Sequence, residues 1–265
     1  MGGQKIFLTG ASSGIGLATA KALLARGHQV WGTARDAGRV PSLNDLHAIT
    51  LDLSDPGSIR DGFEEGLRQA GSFDVVINNA GSGHFGAAES LSIDEIRSQF
   101  QTLVFGHIDL CFRGLAAMRQ QERGLIINVT SLAAELPVPY MAAYNAAKAA
   151  MASFTMSMQF ELSGSNIRLL DLQPADINTG FNDAVLRNGP ADPRIERVWR
   201  VVDRNMKKAP KPELVGKWLA ELIERTDPRP RVIVGDFFQS KVAPLLNQLL
   251  PQRVRVWGLK KYYGI

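Results

Sequence analysis

Tyr144 and Lys148 stand four positions apart in an alanine-rich stretch of helical character, so both side chains leave one face of a helix. A phenol with an ordinary pKa of about 10 holds its proton too tightly to ionise near neutrality. A nearby ammonium favours the phenolate, each pKa unit being worth about 1.4 kcal/mol. The pair is therefore suited to giving a proton to a substrate oxygen or taking one from it. Ser131, thirteen residues upstream at the end of an apolar run, adds a hydroxyl that could hold the same oxygen.

A second group of residues is built for holding an anion. Thr9-Gly10-Ala11-Ser12-Ser13-Gly14-Ile15-Gly16 sits between a strand-like run and the apolar-periodic Leu17 to Leu24. In that setting glycines allow positive φ and bring a pyrophosphate close to the amides and dipole of a helix N-terminus. The strand before and the helix after give the motif its specificity.

These residues need a scaffold, and the chain alternates short apolar runs with longer segments of helical period. The strand candidates are Lys5 to Thr9, Gln29 to Thr33, Ala48 to Leu51, Asp74 to Asn78, Leu125 to Val129, Arg168 to Leu172 and Val232 to Val234. The alternation predicts one α/β domain over residues 1–265: a doubly wound parallel sheet of about seven strands with helices on both faces. Asp55-Pro56 and Asp192-Pro193 read as helix starts, and Gly27 as a helix stop. The long gap at 179–212 holds Ile195, Val198, Trp199 and Val202 at i, i+3, i+4 and i+7. We expect there an amphipathic helix, serving as a lid over a ligand at the strands' C-terminal ends or as a plain surface helix.

Composition narrows the classes further. With 45% hydrophobic and 21% charged residues in 265, and a mean hydropathy of -0.06, this is an ordinary folded chain. The single cysteine, Cys111, cannot form an internal disulfide, and no Cys/His cluster has ligand spacing, so no metal is expected and a reducing cytoplasm is. A strand-like run beginning at Lys5 leads us to expect no export leader, and no apolar stretch of about 18 residues predicts a membrane span. Residues 201–265 hold 13 Lys/Arg against 6 Asp/Glu, without a nucleic-acid recognition motif. Nucleic acid is not an expected partner.

The pattern TGxxxGxG, followed in order by Asn78-Asn79-Ala80-Gly81, Ser131 and Tyr144-Asn145-Ala146-Ala147-Lys148, resembles the classical short-chain dehydrogenase/reductase family over most of residues 5–181. It is nearest in appearance to carbonyl reductases of the hydroxysteroid and retinol dehydrogenase kind. The resemblance implies Ser131, Tyr144 and Lys148 as catalytic residues, with Lys148 also bonding the nicotinamide ribose. It implies cofactor contacts from Gly10, Ser12, Ser13, Gly14, Ile15, Gly16, Asp52, Leu53, Asn79, Ala80 and Gly81. Pro174, Ile177 and Thr179 would meet the carboxamide end. NAD-preferring relatives usually carry an acid at the end of the second strand, where Ala34 stands here. Arg35 follows and can fork onto a 2′-phosphate, so NADP is the expected cofactor.

Two positions depart from the family pattern. Its relay Asn is replaced by Leu103, with His107 one turn away on the same face, and its Pro-Gly segment reads Pro174-Ala175. The expected activity is NADP(H)-dependent interconversion of a ketone or aldehyde with an alcohol on a hydrophobic substrate. The expected pocket is His84, Phe85, Leu136, Val138, Tyr140, Phe181, Leu186 and Trp199. Sugar epimerases also use a Tyr-Lys pair, but their loop reads TGxxGxxG. A cofactor-binding sensor or scaffold that has lost turnover is the alternative reading, resting on Leu103. Family resemblance implies a homodimer or homotetramer through the helices after the fourth and fifth strands. The extension at 237–265 mixes Lys241, Arg253, Arg255, Lys260 and Lys261 with Phe238, Trp257, Tyr262 and Tyr263. We expect either a flap or subunit contact there, or weak peripheral contact with an anionic membrane.

Overall fold

The structure is a computed structural model that describes residues 3–190 and 192–265. Its elements run β1 (Lys5–Thr9), α1 (Gly14–Leu24), β2 (Gln29–Ala34), β3 (Leu46–Thr50), α2 (Pro56–Ala70), β4 (Val75–Asn78), β5 (His84–Phe85), α3 (Ile93–Phe100), α4 (Gly106–Gln120) and β6 (Gly124–Val129). They continue with α5 (Ala142–Glu161), β7 (Ile167–Pro174), α6 (Phe181–Ala184), β8 (Leu186–Arg187), α7 (Pro193–Lys208), α8 (Glu213–Ile223), β9 (Arg231–Val234), α9 (Ala243–Leu249) and α10 (Gln252–Tyr263).

Seven strands form one parallel sheet in the order β3-β2-β1-β4-β6-β7-β9. Every candidate run became a strand of it, because strands covered on both faces need uninterrupted apolar sequence. Alternate residues point to opposite layers. Ile6 and Leu8 of β1 pack with Leu23 of α1 and Val215 and Leu219 of α8. Phe7, between them, packs on the other side with Phe63 of α2 and Leu110 and Met118 of α4. Each such side chain, fully buried, contributes roughly 1.5–3 kcal/mol.

The sheet has its switch point between β1 and β4, so a crevice opens at the strands' carboxyl ends. Local chemistry sets the helix starts around it. Asp55 accepts from the Gly57 amide at 2.8 Å, and Asp192 from that of Arg194 at 2.7 Å. Ser92 and Glu95 form a capping box at α3, a signal the sequence reading passed over. Between α3 and α4 the helix widens into a π-turn, Gln101–Phe105, which carries Leu103.

Three features were not read from the sequence. The strands β5 and β8 pair in parallel as a separate two-stranded ladder, joining the segment after β4 to the 179–212 segment. Two residues each are too few to show periodicity. The third is the C-terminal pair α9 and α10, where apolar, aromatic and basic residues alternate without one dominant stripe.

Candidate active site

The glycine loop is fixed to the turn after β4 by a small set of polar contacts. The Thr9 hydroxyl accepts from the amides of Asn79 and Ala80 at 2.9 and 3.0 Å, and Asn79 Nδ2 donates to the Thr9 carbonyl at 2.9 Å. Gly10 has φ of +74°, and a Cβ on Gly16 would lie 2.0 Å from the Gly10 oxygen, so the loop folds back on itself only with hydrogen at both positions. Behind it, Asn78 Nδ2 donates to Asn128 Oδ1 at 2.8 Å, and Asn128 Nδ2 to Thr155 Oγ1 at 2.8 Å, tying β4 and β6 to α5.

The resulting cleft, about 520 Å³, is lined by Gly10, Ser12, Ser13, Gly14, Ile15, Gly16, Arg35, Asp52, Leu53, Asn79, Ala80 and Gly81, among others. Arg39, one turn beyond Arg35, lines it as well and was missed by the sequence reading. Gln99 also lines it, 5% exposed, with both side-chain polar atoms lacking a partner among the described residues. An apposed dinucleotide would satisfy such an orphaned amide. The backbone cradle, the two guanidiniums and this amide fit a dinucleotide.

A second cavity, about 210 Å³, adjoins the first: Ile15, Asn79, Gly81, Thr179 and Phe181 line both. Ser131, Tyr144 and Lys148 all face it, with Pro174, Ile177 and Thr179 at its edge. Ser131 follows β6, and its Oγ accepts from the Ala133 amide at 3.1 Å. Tyr144 and Lys148 project from the first two turns of α5.

Burial dominates the charges here. It pushes the Tyr144 phenol up to about 12, against a smaller opposing effect of the Ser131 hydroxyl. Burial also brings Lys148 down to about 8, with Asp171 holding it higher than burial alone would. The expectation that Lys148 lowers the phenol pKa is therefore corrected for this arrangement. Its Nζ donates to the Val129 carbonyl at 2.9 Å and lies 5.8 Å from the Tyr144 ring centroid.

Leu103 is wholly buried against Val104, Ala147 and Met151. A Cβ on Gly81 would come within 2.7 Å of Leu103 Cδ2 and 3.9 Å of Lys148 Nζ, so the leucine stands close beside the lysine. His107, 2% exposed, has an Nε2 without a partner among the described residues, and burial with the Lys148 charge lowers its pKa to about 3. Ala175 fits where the family pattern has glycine because its neighbour is Gly235, where a Cβ would meet the Ala175 methyl at 2.6 Å.

Of the expected substrate contacts, Leu136, Val138 and Phe181 line the second cavity. His84 and Leu186 do not; they line the dinucleotide cleft, and His84 Nδ1 pairs with Asn188 Oδ1 at 2.8 Å. Phe85, Tyr140 and Trp199 are also corrected. Their rings pack together, Phe85 lying 4.7 Å from Trp199 and 6.0 Å from Tyr140 between centroids, so they join α7, through Trp199, to the segments carrying Phe85 and Tyr140 instead of lining the cavity. The walls that were missed are Met141, Val202, Met206, Phe238, Leu259, Tyr262 and Tyr263. The i, i+4 pair Leu259 and Tyr263 on α10 was the available signal.

Among known proteins, the family model described as short chain dehydrogenase matches residues 4–188. A 3-ketodihydrosphingosine reductase of Bacteroides thetaiotaomicron is 30% identical, over 99% of this chain and 98% of its own. The mouse dehydrogenase/reductase SDR family member 7B is 29% identical over 69% of this chain and 61% of its own length. A solved short-chain dehydrogenase of Streptomyces avermitilis superposes with a TM-score of 0.84 at 27% identity, covering 98% of this chain and 97% of that one.

Proposed function

The chain belongs to the short-chain dehydrogenase/reductase family, and from that premise we propose that it interconverts a ketone and an alcohol on a long apolar substrate, using NADP(H). One observation carries this reading: Ser131, Tyr144 and Lys148 face a cavity whose other walls are mainly apolar, among them Leu136, Met141, Val202, Met206 and Leu259. Such walls offer little to a sugar or an acidic metabolite. Similarity along almost the whole chain to a protein named as a ketodihydrosphingosine reductase supports a lipid-like ketone in the reducing direction.

When bound, the cofactor supplies or takes the hydride. In reduction Ser131 holds the carbonyl oxygen, Tyr144 gives it a proton, and Lys148 bonds the nicotinamide ribose. The amides at the start of α1 hold the pyrophosphate, and Arg35 with Arg39 holds a 2′-phosphate, which is the ground for NADP over NAD. Pro174, Ile177 and Thr179 position the carboxamide end. The segment 179–212 closes over the cavity as a lid.

The apolar, charge-balanced outer faces of α4 and α5, exposing Phe112, Met156 and Phe160, support self-association there. The lone buried Cys111 suits a reducing cytoplasm. A second reading, a cofactor-bound sensor, is favoured by Leu103 alone.

The test is incubation of the purified chain with NADPH or NADH and a series of 3-ketones of increasing alkyl length, following oxidation of the reduced nicotinamide. Turnover that rises with chain length and prefers NADPH is expected. Tight NADPH binding without turnover of any ketone would favour the sensor, and preference for short polar ketones would remove the substrate assignment.

A further inference from the structure

The C-terminal unit from Phe237 onward has two dissimilar sides. Its inner side closes the cavity: Phe238, Ala243, Leu259, Tyr262 and Tyr263 are wall residues. Polar contacts hold the unit to the body, Gln239 Nε2 donating to Asp176 Oδ2 at 2.7 Å and Asn247 Nδ2 to the Glu135 carbonyl at 3.4 Å. Its outer side is apolar and open to solvent. Phe237, Leu249 and Trp257 are 76%, 71% and 62% exposed, with Leu245, Leu246, Val254 and Val256 beside them in the chain.

Charge then selects what this side can meet. On α10, Arg253, Trp257, Lys260 and Lys261 fall at i, i+4, i+7 and i+8, so the indole stands among three cations on one face. Residues 237–265 contain no Asp or Glu. An isologous contact with a second copy would bring these cations against themselves. The faces of α4 and α5 offer a charge-balanced alternative for self-pairing, with exposed Phe112, Met156 and Phe160 and an internal Asp109–Arg113 ion pair. An indole ringed by cations over exposed leucines matches an anionic lipid surface, where the ring sits at headgroup depth. No helix among the described residues is long and apolar enough to cross a membrane, so the contact is peripheral.

We propose that α9 and α10 dock the chain on an anionic bilayer, with the wall of the cavity against the lipid, so that an apolar substrate enters from the membrane. The docking itself does not rest on the proposed ketone chemistry; only the use made of it does.

The test is co-sedimentation of the full chain, without cofactor or ketone, with vesicles of phosphatidylcholine alone or mixed with phosphatidylglycerol. Binding to the mixed vesicles and release by salt are expected. Replacing both Lys260→Gln and Lys261→Gln should weaken partitioning roughly 25-fold, about fivefold per cation, and Trp257→Ala should weaken it too. Turnover of a short soluble ketone should be unchanged in each variant. No pelleting with mixed vesicles at low salt would overturn the proposal, as would equal binding to both vesicle types or undiminished binding by the double variant. Dissociation of a solution oligomer by Leu249→Asp would also overturn it, by assigning the face to a second copy. Vesicle binding by a chain inactive on long ketones would leave the docking standing and remove only the substrate reading.

Discussion

Tyr144 keeps its proton up to about 12, so at any ordinary pH it is ready to act as an acid. Tyr144→Phe removes that proton and little else, and kcat should fall by roughly 10²–10⁴ with NADPH affinity almost unchanged. A loss smaller than about tenfold would contradict the role. Lys148, brought down to about 8, is charged below that pH and neutral above it. If the proposed reduction uses the charged Lys148 to hold the cofactor, kcat/KM for NADPH at saturating ketone should drop as pH rises through about 8. A profile flat to pH 10 would reassign the lysine, since 10.5 is its ordinary value. Leu103 poses a different question, because a buried leucine cannot hold water beside that lysine. We expect Leu103→Asn to raise kcat severalfold, despite about 1–3 kcal/mol lost to burying an amide. If it does not, and His107→Ala leaves the pH profile untouched, the site needs no relay there. That Ser131, Tyr144 and Lys148 share one cavity was legible because their chemistry and spacing lie within a short stretch of chain. Phe85, Tyr140 and Trp199 were misread because an aromatic near a motif joins elements as readily as it lines a pocket, and only packing distinguishes the two.

The turn after β2 brings two arginines to the cleft, Arg35 directly and Arg39 through one 3₁₀ turn capped by Asp36, whose carboxylate accepts from Gly38 N at 2.9 Å. If the two hold a 2′-phosphate, Arg35→Ala and Arg39→Ala should each lower NADPH affinity about tenfold or more, as loss of a charge-assisted bond does, with little effect on NADH. Fluorescence titration with both cofactors checks this, and equal losses for the two would exclude 2′-phosphate recognition. Arg35 was readable from its place at the strand's end. Arg39 was not, since a turn of helix brings it round, and that turn leaves no periodicity. The strands were legible for the opposite reason: parallel strands buried on both faces are uninterrupted Val, Ile and Leu, as in Val75-Val76-Ile77. The π-turn had no such mark, because one residue of extra width in a helix is set by how Leu103 and Val104 settle against Ala147 and Met151.

Across the whole molecule, the two cavities meet where loops from opposite sides of the switch point converge, and the C-terminal unit completes the second of them. That unit was seen in the sequence as basic and aromatic, but its place was not, since Tyr263 reaches the cavity only once α10 lies against α7. The ladder of β5 and β8 spans the same convergence. There the Leu186 amide donates to the Gly83 carbonyl at 2.9 Å, and the Asn188 amide to that of Phe85 at 3.0 Å. Any movement of the 179–212 segment away from the turn after β4 breaks both bonds together. Those two amides are thus clocks for the segment, trading protium for deuterium at a rate set by how often it parts from the body. Saturating NADPH should slow both by the same factor while leaving amides in the centre of β1 unaltered, a reading of access to the site that needs no substrate and no turnover.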